Sequence, residues 1–177
     1  TRGMHAVGVE ESRRELSEGI AFTQKWLQYH RVKHSMTRAG MTLPGGKNAP
    51  GTLFTVQTDT GALTMTMIQA DTSQCGQLLR KQRVHALAAD LPYGVQHASQ
   101  GGSLEKLLAR ALPGWRGMLK PGGTVAVSFN AQTLKPARVH ELMAEAGLSP
   151  VEETSDGRFA HWVEQAVTRD LAVARRG

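Results

Sequence analysis

Residues 84–98, VHALAADLPYGVQHA, set an acid, a proline, an aromatic ring and a glycine directly after a short apolar run. The run VHALAA reads as a strand, and Asp90 stands at its end. A carboxylate in that place can accept a hydrogen bond from an exocyclic NH₂. Pro92 lacks an N–H and locks its own φ, so the Leu91 and Pro92 carbonyls of a rigid turn stay available to the same amine. Tyr93 offers a flat face on which a base can stack, typically worth about 1–3 kcal/mol. Gly94 lets the chain turn away closely. Together these residues describe a pocket that holds a planar group by its face and its amino edge. The plainer reading is a turn after a strand. The position of the turn, straight after a strand that ends in an acid, favours the pocket.

Two further acids close apolar runs. Glu10 ends MHAVGVE, and Asp71 ends TMTMIQAD. Each has a modest alternative role. An acid near a helix N-terminus stabilises the dipole, but Glu11 could do that equally well, which leaves Glu10 as the better ligand. Asp71 could cap the helix that follows, a role compatible with ligand contact. The other candidates are weaker. His30 and His34 are four apart in a helical pattern, yet zinc needs a third ligand and none is signalled, so no metal is expected. Cys75 reads as a small buried residue. His97 reads as a solvated loop residue. KWLQYHRVKHSMTR, residues 25–38, mixes cations with Trp26 and Tyr29 and could contact RNA. The preferred reading there is a solvated helix end whose cations suit the dipole's negative pole, with Trp26 in the core.

The elements that must position these residues are legible in part. MHAVGVE is a strand. Ser12 and Glu15 have capping-box spacing. Leu16, Ile20, Thr23, Leu27 and His30 then make one stripe of a helix expected to fade near Gly40. Residues 41–51 read as a loop, and a hairpin is expected around Asp59-Thr60-Gly61, its second arm entering the sheet. SQCGQLLRK reads as a short helix, and SLEKLLARALPGWRGMLK as a helix that Pro113 kinks or restarts. Lys120-Pro121-Gly122-Gly123 is a turn before the strand TVAVSFN. KPARVHELMAEAG is a helix with Pro136 early and Gly147 as its stop. The tail from Phe159 reads as late strands. Strands alternating with helices imply an α/β fold with a largely parallel sheet, whose ligands bind beyond the carboxyl ends of the strands.

Composition sets outer bounds. The 177 residues suit one domain with a real core, taken as residues 1–177. No apolar run reaches the roughly 18 residues of a membrane span, so no membrane association is expected. The single cysteine rules out an internal disulfide, and a reducing, cytoplasmic setting is the simplest reading. The formal charge of +6 is compatible with a polyanionic partner.

ADLPYG resembles the D/N-P-P-Y/F/W motif of class I S-adenosylmethionine-dependent amino-methyltransferases. LKPGGTVAVSF resembles the turn and fifth strand of that Rossmann-like fold, VGVEES the end of its second strand, and IQAD the segment beside the cofactor adenine. DLPYGVQH in particular resembles RNA methylases related to the THUMP-associated enzymes that methylate guanine N2 in transfer RNA. The resemblance implies a mostly parallel sheet with a late antiparallel strand, S-adenosylmethionine as cofactor and an RNA substrate, with transfer RNA foremost. It implies that Glu10 binds the ribose hydroxyls and that Asp71, with the backbone at Thr72, faces the adenine. It further implies that Asp90, the Leu91 and Pro92 carbonyls and Tyr93 hold the amine and its base, Asp90 also bordering the cofactor. The reaction would be an in-line transfer of methyl from sulfonium to nitrogen, with acceptors pulling a conjugated amine toward a more nucleophilic geometry and positioning supplying much of the rest.

The sequence departs from the pattern twice. Leu91 stands where many members have Pro, a minor change because the backbone carbonyls survive. The glycine-rich cofactor loop is missing: GGK at 45–47 and GG at 101–102 do not follow strands as required. Since the chain begins with Thr, the expectation is that the first strand and its loop have been lost. A sheet with that gap invites aggregation, pairing with the missing segment or a homo-oligomer, and a chain without the loop would bind cofactor weakly or not at all. Two alternatives stay open. One keeps the chemistry and changes the acceptor to adenine N6 in DNA or RNA, or to a glutamine amide. The other is a non-catalytic RNA-binding relative or fragment.

Overall fold

A computed structural model describes residues 4–42, 50–59, 61, 63–79, 83–92, 104–152 and 158–177. The chain divides into two units, residues 1–78 and 79–177.

In the first unit, β1 (Met4–Glu10) leads into α1 (Arg13–Tyr29). The helix starts where the capping spacing predicts, with Ser12 Oγ accepting from Glu15 N at 3.2 Å. It buries Leu16 and Leu27 and packs against β1 and β4 (Leu63–Gln69). It stops at Tyr29, not near Gly40. Arg31 takes a left-handed φ of 52°, its N–H reaching Gln28 O at 3.0 Å while Val32 N reaches Leu27 O at 2.8 Å. Those two bonds close the last turn as a Schellman motif, with arginine where glycine is usual. From Val32 onward the exposure alternates, half-buried at Val32, His34 and Met36 and exposed at Lys33, Ser35 and Thr37. That is a strand period. Residues expected to extend the helix therefore form β2 (His34–Thr42), which pairs antiparallel with β3 (Pro50–Thr58). Most of the expected loop at 41–51 lies outside the described residues. The hairpin at Asp59 is present: β3 and β4 pair antiparallel, and β4 pairs in parallel with β1, giving the order β1-β4-β3-β2. Behind β4, a 3₁₀ turn (Thr72–Gln74) runs into the short α2 (Cys75–Leu78), with Cys75 buried as expected.

In the second unit, β5 (Val84–Asp90) pairs in parallel with β6 (Leu119–Asn130). Between them runs α3 (Leu104–Met118), a continuous helix that contains Pro113 and buries Leu108, Ala111, Leu112, Trp115 and Met118. Its apolar spacing is that of one helix face. Arg176 Nη1 donates to the carbonyls of Arg116, Gly117 and Leu119, so a cation from the end of the chain satisfies the helix C-terminus. The Lys120–Gly123 turn is folded into the start of β6. Gly122 has φ 74°, and Gly123 is so close to other backbone that a Cβ would lie 2.8 Å from Lys120 O and 3.1 Å from His85 O. Val125, Val127 and Phe129 then alternate inward, fully buried. α4 (Pro136–Glu145) packs on α3, β7 (Ser149–Pro150) and β9 (Val167–Arg175), while β8 (His161–Glu164) pairs only with β9. The order is β5-β6-β9-β7, and β9 is antiparallel to β6.

The chain is thus mixed α/β, and β9 is the late antiparallel strand that was expected, but the strands are less parallel than expected. Among the described residues two sheets are present, and β1–β4 and β5–β6 are the parallel pairs. The antiparallel pairs are local to each unit: β2 and β3 form a hairpin on the outer side of β4, and β9 returns antiparallel along β6. β1 and β5 are each the edge strand of their sheet, and neither has a buried side chain. No helix among the described residues is long and apolar enough to cross a membrane.

Candidate functional site

In the first unit, parallel pairing brings two of the proposed ligands to one end of the sheet. Glu10 is in register with Gln69, and Ala70 N donates to Glu10 O at 3.0 Å, so Asp71 lies one residue beyond that bond. Both acids therefore stand at the carboxyl ends of neighbouring parallel strands. Each carboxylate also has a local partner. Glu10 Oε1 accepts from Ser12 N at 2.7 Å, which fixes the side chain over the start of α1. Asp71 Oδ1 accepts from Ser73 N at 2.8 Å and caps the 3₁₀ turn that Thr72 opens. The capping role foreseen for Asp71 is real. Glu10 as well as Glu11 was a candidate for the start of α1, and it is Glu10 that takes an N–H there. Two half-buried carboxylates with fixed first oxygens suit hydrogen-bond donors such as ribose hydroxyls and an adenine amino group.

In the second unit, Asp90 ends β5 in register with Ser128, and Leu91 N continues the ladder to Ser128 O at 2.9 Å. Asp90 is exposed, Leu91 is buried and Pro92 is half-buried. Leu91 thus works as an anchor whose side chain packs inward, and the acid is presented at the carboxyl end of a parallel strand. Tyr93, Gly94 and His97 lie outside the described residues, as do the glycine pairs at 45–46 and 101–102.

Asn130, which sequence reasoning did not single out, fastens the end of β6. Its side chain is fully buried; Nδ2 donates to Ala166 O at 2.8 Å, and Oδ1 accepts from Gln132 N and Thr168 N, each at 3.1 Å. The partners lie up to 38 residues away, so spacing in the sequence gives no sign of the role. Asp170, also buried, faces His140 from β9; burial pushes the His140 pKa below its ordinary value, and the Asp170 charge opposes that shift.

Two sequence expectations near α1 are corrected. Trp26 is 49% exposed and so is not core. His30 and His34 are not neighbours on a helix, because His30 is the cap of α1 and His34 belongs to β2, its Nδ1 2.8 Å from Val32 O. Among the described residues no group of three His, Cys, Asp or Glu is placed to hold a metal ion.

No family model matches the chain. No curated protein matches it either. Among solved structures it is similar over 63% of its length to TrmN from Thermus thermophilus, with 24% identity, a TM-score of 0.40 and 28% of that chain covered. It is similar over 64% to the aminoglycoside resistance methyltransferase NpmB1, with 16% identity, a TM-score of 0.42 and 61% of that chain covered. A methyltransferase homolog from Pyrococcus horikoshii matches 66% of the chain at 15% identity and a TM-score of 0.44, with 46% of its own length covered. The chain therefore spans less than two thirds of each of these proteins.

Proposed function

We propose that this chain is the catalytic part of an S-adenosylmethionine-dependent N-methyltransferase acting on an exocyclic amino group of a nucleobase, guanine N2 in an RNA such as transfer RNA. The observation that carries the reading is the setting of Asp90: an exposed carboxylate at the carboxyl end of a parallel strand, on a segment held by Leu91 N–H to Ser128 O. Sequence alone could not distinguish a presented acid from one turned inward.

Glu10 and Asp71 fit the cofactor's nucleoside. Glu10 has an oxygen beyond the one held by Ser12 N–H with which to take a ribose hydroxyl, and Asp71, whose Oδ1 caps its own turn, has a second oxygen for the adenine edge beside the Thr72 backbone. When bound, S-adenosylmethionine supplies an electrophilic methyl group. The chain's own residues orient the acceptor. Asp90 and the carbonyls of Leu91 and Pro92 take the two amine protons, which favours a pyramidal nitrogen with its lone pair directed outward. Tyr93 supplies a face for the base, offsetting part of the few kcal/mol, roughly, that unstacking it costs. Asp90, as an exposed carboxylate, can also accept the proton that the methylated nitrogen must shed.

The test measures binding and transfer separately. Titration calorimetry with S-adenosylmethionine is run on the chain and on Glu10→Ala, and transfer of labelled methyl to an unmodified RNA transcript is followed by nucleoside analysis. With a chain that carries the glycine-rich loop, the expected result is N2-methylguanosine, lost in Asp90→Ala with cofactor binding retained. Turnover that survives Asp90→Ala sinks the assignment of that residue. Cofactor affinity unchanged in Glu10→Ala sinks the ribose assignment, and N6-methyladenosine as the product replaces guanine with adenine.

A further inference from the structure

The C-terminal half of α1 carries an aromatic stripe that the core does not use. Phe22, Trp26 and Tyr29 are 70%, 49% and 83% exposed. Their spacing of four and then three residues places them on one helix face, roughly a third of a turn from the stripe of Leu16, Ile20, Thr23 and Leu27. Lys25 lies three residues after Phe22 and four before Tyr29, so it is their neighbour on the helix surface. The rings are organised at the helix end: Trp26 and His30 have centroids 4.3 Å apart, and Tyr29 meets His30 edge-on at 5.1 Å. Just past the helix, a shallow depression is lined by Gln28, Arg31, Val32, Lys33, His34 and Asp59.

Charge decides what can cover this face. Between Glu18 and Asp59 the sequence contains Lys25, Arg31, Lys33, Arg38 and Lys47 and no acid at all. Arg38 already stands over the Phe54 ring at 5.3 Å. The last turn of α1 has no basic residue, so the helix dipole does not account for Lys25. A second copy of the chain would bring like charge against like charge. A polymer with flat apolar faces and a regular negative charge matches both the exposed rings and the cations, and single-stranded nucleic acid has that chemistry.

We infer that the face formed by Phe22, Lys25, Trp26 and Tyr29, with Arg31 and Lys33 beyond it, binds single-stranded RNA, the rings stacking on bases and the cations meeting phosphates. Asp59, the one acid at the depression, sets a limit on how far the phosphate track extends past Lys33. The surface lies wholly within the first unit and needs neither cofactor nor the Asp90 segment. It shares the RNA of the proposed function but none of its chemistry.

The test is fluorescence anisotropy of a labelled, unstructured 20-nucleotide RNA with the full chain and no cofactor. Trp26→Ala/Tyr29→Ala should weaken binding by about tenfold or more, the loss expected for removing stacking platforms. Trp26→Phe/Tyr29→Phe should restore most of it. Lys25→Gln/Arg31→Gln/Lys33→Gln should reduce the slope of log affinity against log salt by about 2, at about 0.7 per phosphate contact on a single strand. Circular dichroism should be unchanged in all three, since the altered side chains are exposed. Equal affinity of the wild type and the double alanine variant overturns the inference. So does equal competition by polyglutamate, which would make the surface one for acidic protein. Sedimentation that shows a dimer lost in the double alanine variant, with no RNA binding, overturns it in favour of a second copy. RNA binding through these residues together with methyl transfer that survives Asp90→Ala leaves this inference standing and removes the Asp90 assignment; transfer lost in Asp90→Ala with equal RNA affinity of the wild type and the double alanine variant does the reverse.

Discussion

Replacing Asn130 by alanine should be among the most damaging single polar substitutions in the second unit. The side chain is fully buried, donates to Ala166 O at 2.8 Å and accepts from Gln132 N and Thr168 N at 3.1 Å. At about 1 kcal/mol net per bond the loss is about 3 kcal/mol, and more where a buried partner is left unsatisfied. With a urea slope of about 2 kcal/mol/M, the midpoint should fall by about 1.5 M at constant slope. The assay is urea unfolding followed by Trp115 fluorescence, in a background carrying Trp26→Phe and Trp162→Phe so that buried Trp115 remains as the sole tryptophan. Gln132→Ala is the comparison. Its amide bonds to Gln165 O and Thr168 Oγ1 are exposed, and its backbone N–H still reaches Asn130. It should cost less than about 0.5 kcal/mol. Because Ser128 holds Leu91 two residues before Asn130, the Leu91 amide should also exchange faster in Asn130→Ala. A loss under about 1 kcal/mol, or an equal loss in Gln132→Ala, would refute the argument that burial makes these bonds valuable.

Other outcomes follow from the same geometry. Gly123→Ala forces a Cβ to 2.8 Å from Lys120 O and 3.1 Å from His85 O, both backbone, and should destabilise the second unit by about 1–3 kcal/mol in the same urea assay. His140 should make the unit acid-sensitive. Its pKa is lowered by burial from 6.5, so the unfolded chain takes up the proton first and stability falls as pH drops below about 6.5. His140→Gln should flatten that part of the profile in thermal melts from pH 7.5 to 5. Arg138 contacts Glu105, Glu141 and Glu145 at 2.7–2.9 Å on the surface, and the small drop in melting temperature in Arg138→Met should shrink in 1 M salt, about the level at which screening is nearly complete.

What the sequence disclosed was mostly local chemistry. Ser12 caps α1, Asp71 caps its turn, Gly122 turns the chain, and Glu10 and Asp90 end strands, because each depends on a few adjacent residues. Pairing partners were not disclosed. The alternation that makes β2 a strand begins two residues after a run of good helical periodicity, and only the left-handed Arg31 marks the break. The two-sheet arrangement depends on which strands meet across dozens of residues, as do the roles of Asn130 and Asp170. Trp26 was misplaced because it borders the apolar stripe, and a border position does not settle which way a large ring faces. Of the candidate site, Glu10, Asp71 and Thr72 are brought together, and Asp90, Leu91 and Pro92 form a contiguous segment in the other unit.

Arg31 has a consequence for anyone who would engineer this chain. A non-glycine residue at φ 52° costs about 1–2 kcal/mol, so Arg31→Gly should make the first unit more resistant to heat. The same change deletes a guanidinium beside the exposed rings. A campaign that ranked variants by melting temperature would therefore promote this substitution early and blunt the very surface it never measured.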